Sequence, residues 1–161
     1  MLRISIGPYT FRARLETEEA PKTCEAVRNL LPIKAQIIHA RWSGEALWIP
    51  GGAAHLKLDY ENNTSHPAPG ELLLYPGGRS EMEFLVPYGP SMFASKAGQL
   101  AGNHFATIVE GLDRLRELGP RVLWEGAKEV LIEEEESEPS ASPTRLEDAA
   151  TALATDRSNT P

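Results

Sequence analysis

The sequence contains a single cysteine, Cys24, and no long apolar run. One thiol cannot form a disulfide within the chain, and its isolation fits a reducing compartment. No stretch approaches the roughly 20 consecutive apolar residues that a membrane-spanning helix needs. The N-terminus also lacks the basic segment followed by an apolar segment that marks a secretory signal. These absences predict a cytoplasmic protein that does not enter the membrane.

Positive charge is scarce as well. The formal net charge is −7, and residues 133–161 hold eight acids against two arginines. That segment therefore carries −6 and leaves −1 for the rest of the chain. A near-neutral body gives no basic surface with which to neutralise phosphates, so nucleic acid is not expected as a partner.

Signatures of covalent, metal and cofactor chemistry are missing. The sequence has no glycine-rich phosphate loop, no nucleophile elbow and no repeated Cys-x-x-Cys. His39, His55 and His66 stand at no spacing, with each other or with Cys24, that is typical of metal ligands. We predict neither a metal nor a cofactor.

Apolar–polar alternation organises the first 132 residues. It predicts a hairpin of strands at 2–6 and 9–15 with the turn at Gly7-Pro8. The run Leu72-Leu73-Leu74 indicates a strand with little solvent on either face. Further strands are predicted at 35–42, 56–60, 71–75, 82–86, 103–109, 121–124 and 129–132.

Two helices interrupt these strands. The first begins at Pro21, where a missing backbone N–H costs nothing, and ends before Pro32. The second follows the strand at 103–109 and is expected to end at Gly119-Pro120. From Glu133 the composition becomes acidic and rich in Ser, Pro and Ala, which cannot bury enough surface to offset the ordering entropy. The prediction is a domain at 1–132 and a disordered acidic tail at 133–161.

Two of these segments carry a family resemblance. Residues 20–31 read APKTCEAVRNLL, and residues 100–115 read LAGNHFATIVEGLDRL. Between them lie Arg41, a double glycine at 51–52 and the tripeptide Ser91-Met92-Phe93. In this order the segments resemble cyclophilins. The resemblance implies a mainly β fold, a closed eight-stranded barrel capped by two short helices.

The segments at 39–48, 75–81 and 100–105 are most similar to a branch of uncharacterised bacterial cyclophilin-like proteins. Related barrels form parts of enzymes that handle cyclic amides and urea derivatives, such as 5-oxoprolinase and allophanate-hydrolase components. The resemblance therefore implies a second class of function beside prolyl isomerisation.

The resemblance also nominates site residues. Arg41 matches the arginine that donates to the prolyl nitrogen in isomerases, where it weakens a bond whose rotation barrier is about 18–20 kcal/mol. Phe93 and His104 match a pocket phenylalanine and a pocket histidine. Three positions depart from the family's pattern. Pro50 and Met92 each stand where the family has a glutamine, and Gln99 stands where it has a tryptophan.

Spacing alone nominates further residues around the Ser-Gly turn at 43–44. Arg41 and Glu45 are four residues apart, so both could face the barrel mouth and hold a carboxylate or carbonyl, or they could pair with each other. Trp42 and Trp48 flank the same turn and could wall a flat ligand or fill the core. Both alternatives stay open in each case.

The leading prediction is a cytoplasmic accessory protein that binds a small polar amide or carboxylate. Arg41 would anchor this ligand, and Glu45, Trp48, Asn103 and His104 would line the site. A lone histidine on a strand is more often a hydrogen-bonded structural residue, and this alternative stays open for His104.

Two alternatives remain. One is a weak peptidyl-prolyl isomerase that uses Arg41 and an apolar pocket with Phe93. The other is an enzyme of cyclic-amide or urea-type metabolism that uses His104 or Glu45 for proton transfer. A homodimer formed through edge strands or loops is also left open.

Overall fold

The structure is a computed structural model that describes residues 1–135. The two helices are α1 (Pro21–Leu30) and α2 (Leu112–Glu125), and Arg41–Ser43 form a 3₁₀ turn. The strands are β1 (Leu2–Ile6), β2 (Tyr9–Leu15), β3 (Ile33–His39), β4 (Gly44–Pro50), β5 (Asn63–Thr64), β6 (Glu71–Tyr75), β7 (Glu83–Ser91), β8 (Ala94–Ser95), β9 (Gly98–Gln99), β10 (Gly102–Glu110) and β11 (Lys128–Glu134).

Eight strands close into an antiparallel barrel. Their order is β2-β1-β11-β3-β4-β7-β6-β10, and β10 pairs again with β2 to complete the circle. The short β5 adds to one end of β10, whereas β8 and β9 form a separate two-stranded ribbon. The predicted closed eight-stranded barrel with two helices is confirmed.

The β1–β2 hairpin shows how alternation builds the barrel interior. Ile4 pairs with Phe11 across the two strands, and both side chains are buried inside. Gly7 sits in the connecting turn with φ of +53°, a left-handed conformation that glycine adopts without strain. The hairpin therefore forms as predicted.

The helices cover opposite ends of the barrel. At the start of β2, the hydroxyl of Tyr9 donates to Glu117 of α2 at 2.7 Å. β2 then runs across the barrel and ends at Leu15, shortly before α1. In α1, the thiol of Cys24 is buried and donates to the carbonyl oxygen of Phe105 at 3.3 Å. Cys24 is thus a packed core residue.

Helix α2 is longer than predicted. The sequence at Gly119-Pro120 predicts a helix end, followed by a strand at 121–124, but α2 continues to Glu125. Leu118 and Val122 are both buried on the same face of the helix, so the apolar stripe continues past the proline. The packing of that face outweighs the local stop signal.

The strand predicted at 56–60 does not form. Leu56 and Leu58 pack against the barrel core, yet the segment pairs with no strand in the described part of the chain. The backbone N–H of Leu56 instead donates to the carbonyl of Pro76 at 2.8 Å. Partial burial of alternate leucines therefore occurs here in an irregular loop.

The C-terminal segment is described in part. β11 continues to Glu134, two residues beyond the predicted domain boundary, and Glu135 pairs with Arg12 at 2.8 Å. The rest of the predicted tail, 136–161, lies outside the described residues. Neither described helix is long and apolar enough to cross a membrane.

Apolar side chains pack on both faces of the sheet at β4, β6 and β7. Leu72 and Leu74 point into the barrel and Leu73 points outward, and all three are buried, as the sequence predicted. The outward residues form a second cluster, which we name the outer-face cluster. It comprises Ala40, Ala46, Leu73, Tyr75, Leu85, Phe93 and Leu100, with Trp48 packed against it.

Candidate functional site

The predicted site residues do not converge on one pocket. They lie in the 3₁₀ turn (Arg41, Trp42), in β4 beside the barrel mouth (Glu45), at the outer-face cluster (Trp48, Phe93) and in β10 (Asn103, His104).

Arg41 is exposed on the turn between β3 and β4. Within residues 1–135 its guanidinium forms no hydrogen bond and no ion pair, so it is not paired with Glu45. Its positive charge nevertheless lowers the pKa of the buried His39.

Trp42 and Trp48 contact each other at the surface. Their rings meet edge to face with centroids 5.6 Å apart. Trp42 is 51% exposed, and Trp48 is half-buried against the outer-face cluster. Neither indole fills the barrel interior.

Phe93 fills the outer face of the sheet. It is fully buried, with its ring edge to face with Tyr75 at a centroid distance of 6.3 Å. Its backbone N–H donates to Ser65 at 2.7 Å, which fixes the covering segment in place. Gly102 lies directly beneath, where a Cβ would approach the Phe93 ring to 2.7 Å. The phenylalanine thus occupies space that an apolar ligand pocket would need.

Asn103 has a complete set of hydrogen bonds within the protein. Its side-chain oxygen accepts from the backbone N–H of Glu61 at 3.2 Å. Its amide nitrogen donates to the hydroxyl of Thr23 and to the carbonyl of Asp59, both at 3.0 Å. Asn103 is fully buried and ties α1 and the 59–61 loop to β10.

His104 belongs to a separate surface network. Its Nε2 lies 2.9 Å from the hydroxyl of Thr107, which donates to Glu16 at 2.6 Å. Because the threonine proton is used on Glu16, Nε2–H of His104 is the donor to Thr107. Asn62 donates to the backbone carbonyl of His104 at 2.9 Å. These contacts hold the histidine in the sheet, apart from Glu45.

Glu45 faces a bulge in β7. The pairing of β4 with β7 shifts from Ala46↔Pro87 to Gly44↔Ser91, so two steps along β4 correspond to four along β7. Gly44 makes this possible, because its φ is +101° and a Cβ there would lie 2.7 Å from a backbone oxygen of β7. Bulges of this kind redirect side chains and are frequent beside functional sites.

The bulge opens a cavity of about 560 Å³ between β4, β7 and α2, which we name the mouth cavity. A volume of this size suits a small organic ligand. Its polar residues are Glu45, Tyr88 and Arg116, and its walls are Gly89, Pro67, Pro69, Pro90 and Pro120. In the described part of the chain, neither Glu45 nor Arg116 has a hydrogen-bond or ion-pair partner.

A buried pair lies behind this cavity. Nε2 of His39 is 2.7 Å from the hydroxyl oxygen of Tyr88, and both side chains are buried. Burial lowers the pKa of His39, Arg41 lowers it further, and Glu45 opposes both. Burial also raises the pKa of Tyr88, with a further contribution from the charge of Glu45. Both groups are therefore neutral near pH 7.

A second perturbed group lies at the edge of the outer-face cluster. Glu83 is 2% exposed, and burial raises the pKa of its carboxyl to about 7. The nearby indole N–H of Trp48 opposes this rise, although the two groups are not aligned for a hydrogen bond. Among the described residues, Oε1 of Glu83 and Nε1 of Trp48 have no partner. Within residues 1–135, no group of three or more His, Cys, Asp or Glu side chains is placed to hold a metal ion.

A model of the family described as protein of unknown function (DUF3830) matches residues 2–133. The chain belongs to the DUF3830 family. The match contains Glu45, Tyr88 and Arg116, so the mouth cavity is built from the family segment. A search of curated proteins found no match.

Two solved structures have folds similar to that of this DUF3830 protein. The structure of McbB in complex with tryptophan is 21% identical, with a TM-score of 0.63 over 96% of this chain and 53% of McbB. The chain thus spans about half the length of McbB. The solution structure of the hypothetical protein AF2241 from Archaeoglobus fulgidus is 19% identical, with a TM-score of 0.55 over 83% of this chain and 93% of AF2241. These likenesses show the fold alone and are consistent with a cyclophilin-like barrel.

Three residues at or behind the mouth cavity of this DUF3830 protein were not predicted from the sequence. Tyr88 continues the inward alternation of Phe84 and Val86, which predicts its burial but not its cavity. Arg116 and Pro120 are four residues apart and lie on one face of α2. The sequence did not indicate this, because the helix was predicted to end at Gly119-Pro120. His39 gave no signal, since its partner is 49 residues away.

Proposed function

We propose that the protein binds a small polar ligand carrying a carboxylate or an amide in the mouth cavity. Arg116 is the donor for the carboxylate or carbonyl oxygens, and Glu45 is the acceptor for an N–H group. The observation that carries this proposal is a pair of opposite charges, Arg116 and Glu45, that have no partner among residues 1–135 and lie on the rim of one proline-walled cavity. A cytoplasmic location is part of the proposal.

The chemistry of the cavity supports a ligand with both a negative and a hydrogen-donating group. A guanidinium offers paired N–H donors that match the two oxygens of a carboxylate. A carboxylate such as Glu45 only accepts hydrogen bonds, so it favours an ammonium or amide N–H. Four prolines provide apolar walls that need little ordering when a ligand enters.

The fold likeness to McbB supports the same ligand class. The McbB structure contains tryptophan, a molecule with both a carboxylate and an ammonium group. We extend this to the present chain only as a class of ligand. We also propose that this chain belongs to the bacterial branch of cyclophilin-like proteins.

Prolyl isomerisation has weaker support. An isomerase site would need Arg41 and an open apolar pocket beside Phe93, and the phenylalanine is fully buried in the outer-face cluster. Proton transfer by His104 has less support as well, because its Nε2–H is already donated to Thr107. A proline-peptide isomerisation assay on the wild type and on Arg41→Ala tests the first of these alternatives directly.

The test of the proposal is a thermal-shift screen of amino acids, their amides and small carboxylates, followed by calorimetric titration of each compound that raises the melting temperature. A ligand that binds the folded state alone stabilises it by mass action. Arg116→Gln should weaken binding of a carboxylate by about 10- to 100-fold, which corresponds to the loss of one charge-assisted hydrogen bond of about 1.5–3 kcal/mol.

Arg114→Gln is the matched control. Arg114 lies on the same helix but stacks over the ring of Tyr9, with 5.1 Å between its guanidinium carbon and the ring centroid. Its replacement should leave binding unchanged. No binder in the screen, or equal loss from Arg116→Gln and Arg114→Gln, would count against the mouth cavity.

A further inference from the structure

His39 and Tyr88 form an isolated polar pair at the barrel mouth. Their rings meet edge to face with centroids 5.6 Å apart, and the side chains are 9% and 6% exposed. Nδ1 of His39 has no hydrogen-bond partner among residues 1–135. In that same part of the chain, the hydroxyl of Tyr88 contacts no polar group other than Nε2 of His39.

Two hydrogen arrangements fit the contact of 2.7 Å between Nε2 and the hydroxyl oxygen. If Tyr88 donates to Nε2, the ring proton sits on Nδ1 of His39, where the described residues provide no acceptor. If Nε2–H donates to Tyr88, Nδ1 keeps only a lone pair. The second arrangement leaves the Tyr88 hydroxyl proton without a protein acceptor, but Tyr88 lines the mouth cavity, where water or a ligand can accept it. A proton on the buried Nδ1 would have no acceptor among residues 1–135, which is costly. The second arrangement is therefore favoured.

This arrangement leaves the hydroxyl proton of Tyr88 without an acceptor in the part of the chain that the structure describes. Tyr88 lines the mouth cavity, and its phenol stays protonated because burial and Glu45 raise its pKa. His39 stays neutral because burial and Arg41 lower its pKa. The pair thus has one hydrogen-bond donor at neutral pH, the Tyr88 hydroxyl, that residues 1–135 do not use, and it belongs to a residue that lines the cavity.

We infer that His39 is a positioning residue that fixes Tyr88 as a hydrogen-bond donor to the mouth cavity, and that the cavity takes an α-amino acid or α-amino amide. This inference rests on the proposed function for its ligand. Two donors, Arg116 and Tyr88, match the oxygens of a carboxyl or carboxamide group. One acceptor, Glu45, matches the adjacent ammonium group.

The first experiment needs no ligand. A long-range ¹H–¹⁵N correlation spectrum of the ¹⁵N-labelled full chain at pH 7 distinguishes protonated from unprotonated ring nitrogens of each histidine. The signals of His39 are assigned by their loss in His39→Gln, or by assigning His55, His66 and His104 in the same way if that variant does not fold. We expect Nε2 protonated and Nδ1 unprotonated. A proton on Nδ1 would overturn the inference, because Tyr88 would then donate to His39.

The second experiment separates positioning from packing. The standard α-amino acids are titrated at millimolar concentration into the wild type, Tyr88→Phe, His39→Gln and His39→Leu. A glutamine N–H can replace Nε2–H, so His39→Gln should bind within about three-fold of the wild type. Tyr88→Phe and His39→Leu should each bind at least about ten-fold more weakly.

Equal affinity in all four proteins would overturn the role of His39 and Tyr88 while leaving the proposed cavity intact. Binding of simple carboxylates but of no α-amino acid would overturn the ligand class alone. The ring-nitrogen spectrum tests the protonation of His39 independently of both binding results.

Discussion

The α-carbon of Gly89 packs directly against the side chain of Glu45, leaving no room for a Cβ. The φ of Gly89 lies outside the left-handed region, so the requirement for glycine is steric. Glycine here lets the carboxylate lie across the β7 bulge and face the mouth cavity. The position of a candidate binding group thus depends on the absence of one methyl group.

Gly89→Ala should therefore displace the Glu45 side chain. We expect a loss of about 1 kcal/mol in the free energy of unfolding, measured by urea denaturation, because the exposed carboxylate can move aside while the Cβ of Glu45 stays in close contact. Adding Glu45→Ala to this variant should restore part of the loss, since most of the clash is removed. If Gly89→Ala is as stable as the wild type and the double variant is additive, the packing is not as described.

Gly119 has the same relationship with the ring of Tyr88, which lies against the helix backbone. Alanine favours a helix interior by about 1 kcal/mol over glycine, so propensity alone predicts that Gly119→Ala is stabilising. We expect the opposite sign, a loss of about 1–3 kcal/mol in urea denaturation, because the ring is buried. The control is Trp124→Ala on the same helix, where the indole is 84% exposed and a change within about 0.5 kcal/mol is expected.

Asn103 tests whether a predicted ligand residue has a structural role instead. Asn103→Ala should lower the free energy of unfolding by about 2–4 kcal/mol, because it leaves buried partners such as the Glu61 N–H unpaired. Asn63→Ala is the control, since the Asn63 side chain is exposed and its pairing with β10 uses the backbone. Unchanged stability of Asn103→Ala with weaker ligand binding would favour the original prediction.

Glu83 should give the protein a pH-dependent stability. Its folded pKa of about 7 lies above the ordinary value of 4.5, so the folded state favours the protonated carboxyl. Stability is then highest below the ordinary pKa, falls as pH rises towards 7, and levels off above it. Each pH unit contributes about 1.4 kcal/mol, which gives a total of order 3 kcal/mol.

Glu83→Gln removes this titration while keeping the shape of the protonated acid. The variant should be about as stable as the wild type at pH 4 and more stable at pH 8 in urea denaturation. Glu81→Gln, at an exposed neighbouring position, should keep the pH dependence of the wild type with a slightly lower midpoint, because the charge of Glu81 contributes to the raised pKa of Glu83. Parallel curves for the wild type and Glu83→Gln would show that Glu83 is not a buried acid of raised pKa.

Sequence patterns predicted most of the barrel because they act locally. The alternation around Ile4 and Phe11 and the proline at Pro21 each set a strand or a helix start without distant help. Local patterns could not predict the features that depend on long-range packing. The continuation of α2 past Pro120 depends on burial of Val122, and the irregular path at 56–60 depends on a backbone contact with Pro76.

The candidate site was predictable only in part for the same reason. Glu45 was identified because its spacing from Arg41 is visible in the sequence. The residues that join it in the mouth cavity, Tyr88 and Arg116, come from β7 and α2, and only closure of the barrel brings them together. The two-residue bulge that opens the cavity has no sequence signature of its own.

The central claim is that the mouth cavity, and not the outer-face cluster, is the binding site. It is tested most directly by assigning the backbone amide resonances and titrating in the tightest binder from the amino-acid and carboxylate screen. The account predicts chemical-shift changes concentrated at residues 44–46, 88–91 and 114–121. Changes concentrated instead at Trp48, Phe93 and Leu100 would contradict it.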